Sequence, residues 1–487
     1  MRFINIFKKE SPAETERRRS NRSIAYVAAF FSVLFFVLIA YIVEYTYYEA
    51  PEDINNTYNP RQDIYAKRVV RGCIFSRDGD ILAKTDTDDQ GNEKREYPYG
   101  PLFAHVVGFS THGKTGVESS ANIRLLTSNK FVTERMVNIL EGEKNKGDCV
   151  ITTLDLDMQK AAYEALGSYR GAIVATDIKS GEILCMVSKP DFDPNYIADN
   201  WEAINSDPNS SVLLNRATQG LYPPGSTFKI VTMLEYLKEH GEEIDSYSFD
   251  CNGSFSYEDN KISCYHGISH GKVDITASFA KSCNSSFANI STSLTREDFR
   301  KTCEDLLFNE DLPLPFTYKK SYVPINKDSD TSELMQVSIG QGKTQITPIH
   351  MNMITCAIAN EGTLMRPYVI DRIVNADGKQ VKKFRVKEYG KLLDEKYCTI
   401  LRELMTKVVE EGTASRLKDT VGYKAAGKTG SAEYSSNKVM SHAWFTGYAP
   451  LEDPQVAVTV IAEEAGSGGE IAVPMARKVF DAWAKEK

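Results

Sequence analysis

The chain has 487 residues, 42% of them hydrophobic and 25% charged, with a formal net charge of −8. That balance is ordinary for a globular protein of roughly three domain-sized units. It excludes a disordered tail protein, a collagen and a polytopic transporter, and the acidic balance argues against nucleic acid as a partner.

In chain order, the first element is an apolar run. Ile24–Val43 (IAYVAAFFSVLFFVLIAYIV) is 20 residues without a charge. As a helix it spans ~30 Å, the thickness of a bilayer core. The segment 1–23 before it carries Arg2, Lys8, Lys9, Arg17, Arg18, Arg19 and Arg22 against Glu10, Glu14 and Glu16. The positive-inside rule predicts a single-pass anchor over 24–43, with the N-terminus cytoplasmic and everything after it exported. A cleaved signal peptide fits less well. Its apolar core is normally ~7–15 residues and ends at a small-x-small site, whereas EYTYYEAPED follows here.

Residues 44–150 read as a small β-rich domain. Short apolar runs at 67–75 and 81–84 alternate with charged loops such as DTDDQGNEKRE at 86–96. Within it, GFSTHGKT at 108–115 matches the phosphate-loop pattern G-x4-G-K-[ST], following AHVV and preceding a helix-like stretch. Outside a membrane nucleoside triphosphate is scarce, and no magnesium-holding partner strand stands out. The pattern is therefore expected to be a glycine-rich turn.

Residues 151–487 predict one large α/β domain. LDLDMQKAAYEALGSY (154–169) has helical apolar spacing, GAIVATD and EILCMVS form a hairpin, and Ser226 to about Leu312 is helix-rich. KAAGKTGSAEY, SHAWFTGYA and VAVTVIAEEA then read as strands, with the turn-like SSNKVM after the first and a closing helix at 472–485. An antiparallel sheet built from both ends, flanked by centrally placed helices, is the expected architecture.

All nine cysteines follow the anchor, and Cys185 and Cys356 lie in apolar runs as small buried hydrophobes. Cys251 and Cys264, in a polar loop, are the best disulfide candidates. With His266 and His270 nearby that loop could hold zinc, but the absence of a C-x2-C signature favours a disulfide or two free thiols. No cofactor and no metal is expected.

The chemistry sits in three short patterns whose order matters. Ser-x-x-Lys occurs at Ser226, Ser269, Ser278, Ser415 and Ser435; Ser-x-Asn at Ser120, Ser282 and Ser435; Lys-Thr-Gly at Lys114 and Lys428. Only Ser282 and then Lys428 complete an ordered set. Ser226 follows Tyr222-Pro223-Pro224-Gly225 and opens an apolar helix, whereas Ser269 lies in a glycine-rich loop and Ser278 inside a helix. Residues three apart share a helix face, so the Lys229 amine is expected to reach the Ser226 hydroxyl. The helix dipole and a desolvated cleft disfavour its ammonium form and make it a base. Ser282 offers a second hydroxyl for proton passage, and Asn284 an amide for substrate backbone. Lys428 and Thr429 start a strand, and Gly430 is expected to let a substrate approach that strand closely.

The ordered set Ser226-Thr227-Phe228-Lys229, Ser282-Cys283-Asn284 and Lys428-Thr429-Gly430 resembles that of the penicillin-recognising serine transpeptidases. The resemblance covers nearly all of the exported region. RGCIFSRDGDILA (71–83) is similar to the pedestal motif of class B penicillin-binding proteins. GAIVATDIKSGEILCMVSKPDFDPN, RATQGLYPPGSTFK, IGQGKTQITPIHM, EEGTASRL and HAWFTGYAP look like landmarks of their transpeptidase domain. The short pedestal, the NPR element at Asn59–Arg61 and the lack of a further C-terminal module point to the penicillin-binding protein A type. Ser76-Arg77-Asp78-Gly79 departs from the usual Asp-Arg-Asn-Gly, which touches the pedestal alone.

The resemblance implies a pedestal or dimerisation-like domain over 44–150 and a transpeptidase domain over 151–487, with an all-helical subdomain beside the sheet. It implies a D,D-transpeptidase that cross-links peptidoglycan stem peptides through an acyl-enzyme at Ser226 and is acylated by β-lactams. Ser226, Lys229, Ser282, Asn284 and Lys428 are the implied catalytic residues, and Thr429, Gly430 and Ser431 bind substrate. Backbone N–H groups of Ser226 and Ser431 form the implied oxyanion hole. The implied partners are the D-Ala-D-Ala end of a stem peptide and a membrane glycan polymerase of the rod-shape or division type. A D,D-carboxypeptidase differs only in using water as acceptor. A β-lactamase is disfavoured by the lack of Glu-x-x-Leu-Asn between Ser282 and Lys428. A non-enzymatic β-lactam sensor is disfavoured because ~23 residues before the anchor leave no room for a signalling domain.

Overall fold

The computed structural model describes residues 11–48, 66–208, 210–241, 246–433 and 441–485. Two features of the sequence, Asn59–Arg61 and the SSNKVM turn, lie outside them, as do Arg2, Lys8, Lys9 and Glu10. The chain divides into two compact units, Met1–Gln62 and Asp63–Lys487.

Among the described residues, the first unit is one helix, Pro12–Tyr48. Its Asn21–Glu44 stretch is long and apolar enough to cross a membrane, and none of it is buried by protein. Side chains such as Phe30 and Phe36 stay 65% and 72% exposed, apolar surface of the kind a bilayer core covers.

The second unit opens with the pedestal sheet. Its order, by strand, is Gln380–Lys383, Ile370–Val374, Cys149–Thr152, Ile74–Phe75, Ile81–Thr87 and Glu93–Glu96. Two of its six strands come from residues 370–383, far along the chain, so it crosses the 150/151 boundary expected from sequence. The charged 86–96 stretch is the tip of a hairpin, with Lys84 opposite Glu96 and Thr87 opposite Glu93. Ser76, standing where the pedestal motif usually has Asp, shapes the preceding turn: its Oγ accepts from the Asp80 amide at 2.9 Å and donates to the Asp80 carboxylate at 2.8 Å.

AHVV is a helical turn, Ala104–Val107, so the 108–115 loop follows no strand and lacks the context of a phosphate loop. Instead it closes on itself. The Thr115 amide donates to the Phe109 carbonyl at 3.2 Å, and His112 stacks on Trp201. Gly108 has φ +83°, and a Cβ there would lie 2.1 Å from the Thr115 carbonyl oxygen, so only glycine fits the closure.

The central sheet is five-stranded and antiparallel throughout, in the order Ala426–Glu433, Ser441–Ala449, Val456–Ala462, Gly171–Asp177, Ile183–Lys189. Every residue of Ser441–Ala449 and Val456–Ala462 is buried, which requires cover on both faces. The helix Pro348–Ala359, buried along its whole length, covers one face through a Thr355–Thr446–Thr459 hydroxyl chain with bonds of 2.6 and 2.7 Å. Leu156–Leu166, capped by Asp155 on the Met158 amide, pairs with Val473–Lys485 on the sheet. Among the described residues, the stretch from Ser226 to Leu312 is built mainly of helices, with four short strands within 249–273 that form a small insertion.

One ion cluster anchors the pedestal. The fully buried Glu118 accepts from Arg71 Nε and Arg95 Nε, both at 2.7 Å, and from the Tyr97 hydroxyl at 3.2 Å. The two guanidinium groups hold the Glu118 carboxyl below its ordinary range against the opposing effect of burial. Removing the acid strands two buried cations, which typically costs about 3–5 kcal/mol. Glu118→Ala is therefore expected to lower the midpoint of the first thermal unfolding transition of the full chain by several degrees. An unchanged midpoint would show that the cluster contributes nothing to stability.

Candidate active site

Ser226 lies on a single 3-10 turn, Gly225–Phe228, that runs straight into the helix Lys229–His240. Three hydrogen bonds to backbone carbonyls fix the turn. The Gly225 amide donates to the Gly340 carbonyl at 2.9 Å, the Thr227 hydroxyl donates to the Pro224 carbonyl at 2.8 Å, and Trp444 Nε1 donates to the Pro223 carbonyl at 3.1 Å. Gly430 is needed for the same packing. A Cβ there would sit 2.9 Å from the Pro224 carbonyl oxygen and 3.2 Å from Thr227. The neighbour that approaches Gly430 closely on its Cβ side is thus the Ser226 turn itself.

Lys229 is wholly buried, and its Nζ donates to the Ser282 carbonyl at 2.8 Å and to Asn284 Oδ1 at 2.7 Å, with Ser282 Oγ at 3.4 Å. From the other side Lys428 Nζ, also wholly buried, donates to Ser282 Oγ at 2.9 Å and to the Thr429 carbonyl at 3.1 Å. Ser282 holds this position with φ +57°, a left-handed backbone that is uncommon outside glycine. The expected Lys229–Ser226 hydrogen bond is not formed: the amine is engaged by Ser282 and Asn284. Burial pushes the Lys229 amine down to about 7, and burial together with the nearby Lys229 drives Lys428 well below its ordinary value. A neutral amine has two N–H groups and one lone pair. The Ser282 carbonyl and Asn284 Oδ1 match the two donors, which leaves the lone pair for an incoming proton.

Ser226, Ser282, Asn284, Thr429, Gly430 and Ser431 line one cleft of about 430 Å³. All eight residues selected from sequence therefore meet there, six on the cleft wall and the two lysines behind it. Two others were not legible in the sequence. Thr413 bonds the Thr429 hydroxyl at 2.5 Å. The Gln341 amide, suitably oriented, pairs with the Glu433 backbone at 3.1 and 3.2 Å, so it meets the strand edge as an extended peptide would. Gln341 belongs to the IGQGK landmark and Thr413 to EEGTASRL, so only those landmarks could have flagged them.

The best-formed group for holding a metal lies directly behind Asn284. Cys251, Cys264, Cys283 and His270 bring their ligand atoms within 4.8 Å of one another. Cys251 and Cys264 are free thiols rather than a disulfide, with their sulfurs 3.6 Å apart, and His266 takes no part. The two buried cysteines expected as small hydrophobes, Cys185 and Cys356, are in the core.

Comparison with known proteins agrees with this geometry. The family model described as the penicillin binding protein transpeptidase domain matches residues 171–481, and that of the penicillin binding protein A dimerisation domain matches 71–150. The peptidoglycan D,D-transpeptidase PbpA of Mycolicibacterium smegmatis is 30% identical over 455 residues, covering 87% of this chain and 90% of its own length. Penicillin-binding protein A from M. tuberculosis, solved as a ceftriaxone acyl-enzyme complex, superposes with a TM-score of 0.78 at 27% identity over 86% of this chain and 99% of that one. A D,D-transpeptidase domain from Eggerthella lenta gives 0.77 at 29% identity over 86% and 99%. With its ordered serine, lysine and asparagine motifs gathered in one cleft, the chain belongs to the penicillin-binding protein family of peptidoglycan D,D-transpeptidases.

Proposed function

We propose that Ser226 is the nucleophile, Lys229 its base and Ser282 the proton relay of a transpeptidation run at the Ala426–Glu433 strand edge. The observation that carries this reading is the continuous chain from Lys229 through the Ser282 hydroxyl to Lys428, beside a serine that lines the cleft. Ser226 Oγ attacks the carbonyl between the last two D-alanines of a stem peptide, and its proton passes to the Lys229 lone pair. Backbone N–H groups of Ser226 and Ser431 stabilise the oxyanion; one such donor is typically worth ~10²–10³ in rate. As the tetrahedral intermediate collapses, the proton moves through Ser282 to the departing D-alanine amine, leaving an ester on Ser226. An amine from a neighbouring stem then attacks that ester, forms the cross-link amide and returns Oγ to its hydroxyl form. Asn284 meets the substrate backbone, and Lys428, Thr429 and Ser431 hold its terminal carboxylate. β-Lactams enter by the same attack and stop at the acyl-enzyme.

Around this centre, residues 44–150 serve as pedestal, joined by the two strands from 370–383, and 151–487 otherwise serve as the catalytic domain. The apolar helix anchors the chain in the bacterial membrane. Basic residues ahead of it favour a cytoplasmic N-terminus and place the cleft on the wall side. A membrane glycan polymerase is the natural partner, since a cross-linker needs fresh strands.

Three outcomes test the reading. Ser226→Ala is expected to fold with an unchanged circular dichroism spectrum and to lose all labelling by fluorescent penicillin; label retained on that variant would move the nucleophile elsewhere. Lys229→Ala should still fold but acylate ~10²–10⁴-fold more slowly in stopped-flow assays. In the native chain the Lys229 amine acts only when neutral, and its value is about 7. The acylation rate should therefore rise with pH through about 7 and level off above it, whereas a flat profile from pH 5 to 9 would exclude an amine base of that strength.

A further inference from the structure

The 249–273 insertion has four strands of three or four residues and almost no apolar core of its own. Segments that small usually need a staple to hold one conformation. What lies at its centre is a group of sulfurs. Cys251 ends one strand, Cys264 follows another, His270 precedes a third, and Cys283 starts the helix Asn284–Ser291 on the neighbouring body.

We propose that Cys251, Cys264, His270 and Cys283 form a tetrahedral zinc site that ties the insertion to the Ser282–Asn284 segment. Around zinc, with Zn–S of about 2.3 Å and Zn–N of about 2.0 Å, sulfur–sulfur edges are about 3.8 Å and sulfur–nitrogen edges about 3.5 Å. Cys251 Sγ lies 3.6 Å from Cys264 Sγ, Cys264 Sγ lies 3.7 Å from Cys283 Sγ, and Cys251 Sγ lies 3.5 Å from His270 Nδ1. The three cysteines are buried, and His270 is half-buried at the cleft wall. Outer partners suit thiolates. The Ser286 amide points at Cys283 Sγ at 3.4 Å, from the start of a helix, and the Ser285 hydroxyl lies 3.1 Å from Cys264 Sγ. Three thiolates with one imidazole select zinc over the hard cations, which prefer oxygen. Binding is a ligand exchange without redox change: three S–H groups release their protons to solvent, and neutral His270 donates through Nδ1 while Nε2 keeps its hydrogen.

The site has a direct route to the cleft. Cys283 is the middle residue of Ser282-Cys283-Asn284, and Asn284 Nδ2 donates to the Ser263 carbonyl of the insertion at 3.1 Å. These four residues are positioning residues, and their effect on acylation rests on the roles proposed above for Ser282 and Asn284. The zinc assignment itself rests on the cluster alone.

The test uses the full chain in detergent, purified without chelator. Mass spectrometry of bound metal is expected to give about one zinc per chain. Cobalt exchange is expected to give the thiolate charge-transfer absorption and visible d–d bands of a tetrahedral site. Cys251→Ala and His270→Ala should lose both signals, and Cys73→Ser, in the pedestal, should keep them. If those variants misfold by circular dichroism, chelator titration of the native chain with cobalt absorption as readout decides alone. Less than about a tenth of a metal per chain after zinc or cobalt loading, or a disulfide among these cysteines in unreduced protein that blocks loading, would overturn the site. Penicillin acylation of the same samples keeps the two readings apart. Metal bound without acylation at Ser226 would sink the proposed nucleophile, and normal acylation in a chain that takes up no metal would sink the zinc site.

Discussion

Two amines that share one hydroxyl are the constraint around which the cleft is built. Lys229 and Lys428 are each fully buried and each bonded to Ser282, from opposite sides. With Ser282 Oγ at 3.4 Å from one amine and 2.9 Å from the other, two unit charges there would repel by at least roughly 3 kcal/mol at an effective dielectric of ~20, in addition to the cost of desolvating both. The arrangement therefore keeps the pair from being fully charged, and it supplies a neutral amine near neutral pH where an exposed lysine would hold its proton. Its precision depends on three separate bodies: the helix that carries Lys229, the edge strand that carries Lys428, and the left-handed turn at Ser282.

The sheet serves this arrangement by being dry and stiff. Its inner strands are buried on both faces, so the edge strand Ala426–Glu433 is held by a full ladder on one side, with Lys428 opposite Thr446 and Gly430 opposite Trp444. Gly430 and Gly340 bring that edge and a neighbouring loop against the Ser226 turn at distances no side chain would allow. The serine is consequently positioned by backbone contacts, the least adjustable kind, while the lysines are positioned by burial. The outer flank of the cleft is different in kind. The 249–273 insertion is polar and thin, and its contact with Asn284 passes through one amide and one cysteine cluster.

The sequence carried a large part of this. Ile24–Val43 needs no tertiary information, because an uncharged run of that length has few other uses. Continuous apolar strands such as GAIVATD and VAVTVIA were readable for the same reason: strands covered on both faces lose alternation and keep β-branched residues. The order of the three short motifs, with the proline–glycine turn before Ser226, singled out the residues that converge on the cleft. Local spacing could not have done so, since Ser-x-x-Lys occurs five times.

Long-range contacts decided the rest. That Lys229 bonds Ser282 and Asn284 instead of Ser226 depends on two segments more than 50 residues apart. The pedestal sheet draws two strands from 370–383, which no local pattern at that distance announces. AHVV became a helical turn because burial, to which alternation is only a guide, settles a four-residue segment. The same holds for the cysteines. Sequence brought Cys251, Cys264 and two histidines into one loop, whereas folding chose His270, left His266 out and added Cys283 from the next helix. Motif identity and order are written along the chain, where each residue type carries its chemistry; which atoms meet is a property of packing, where separation along the chain ceases to matter.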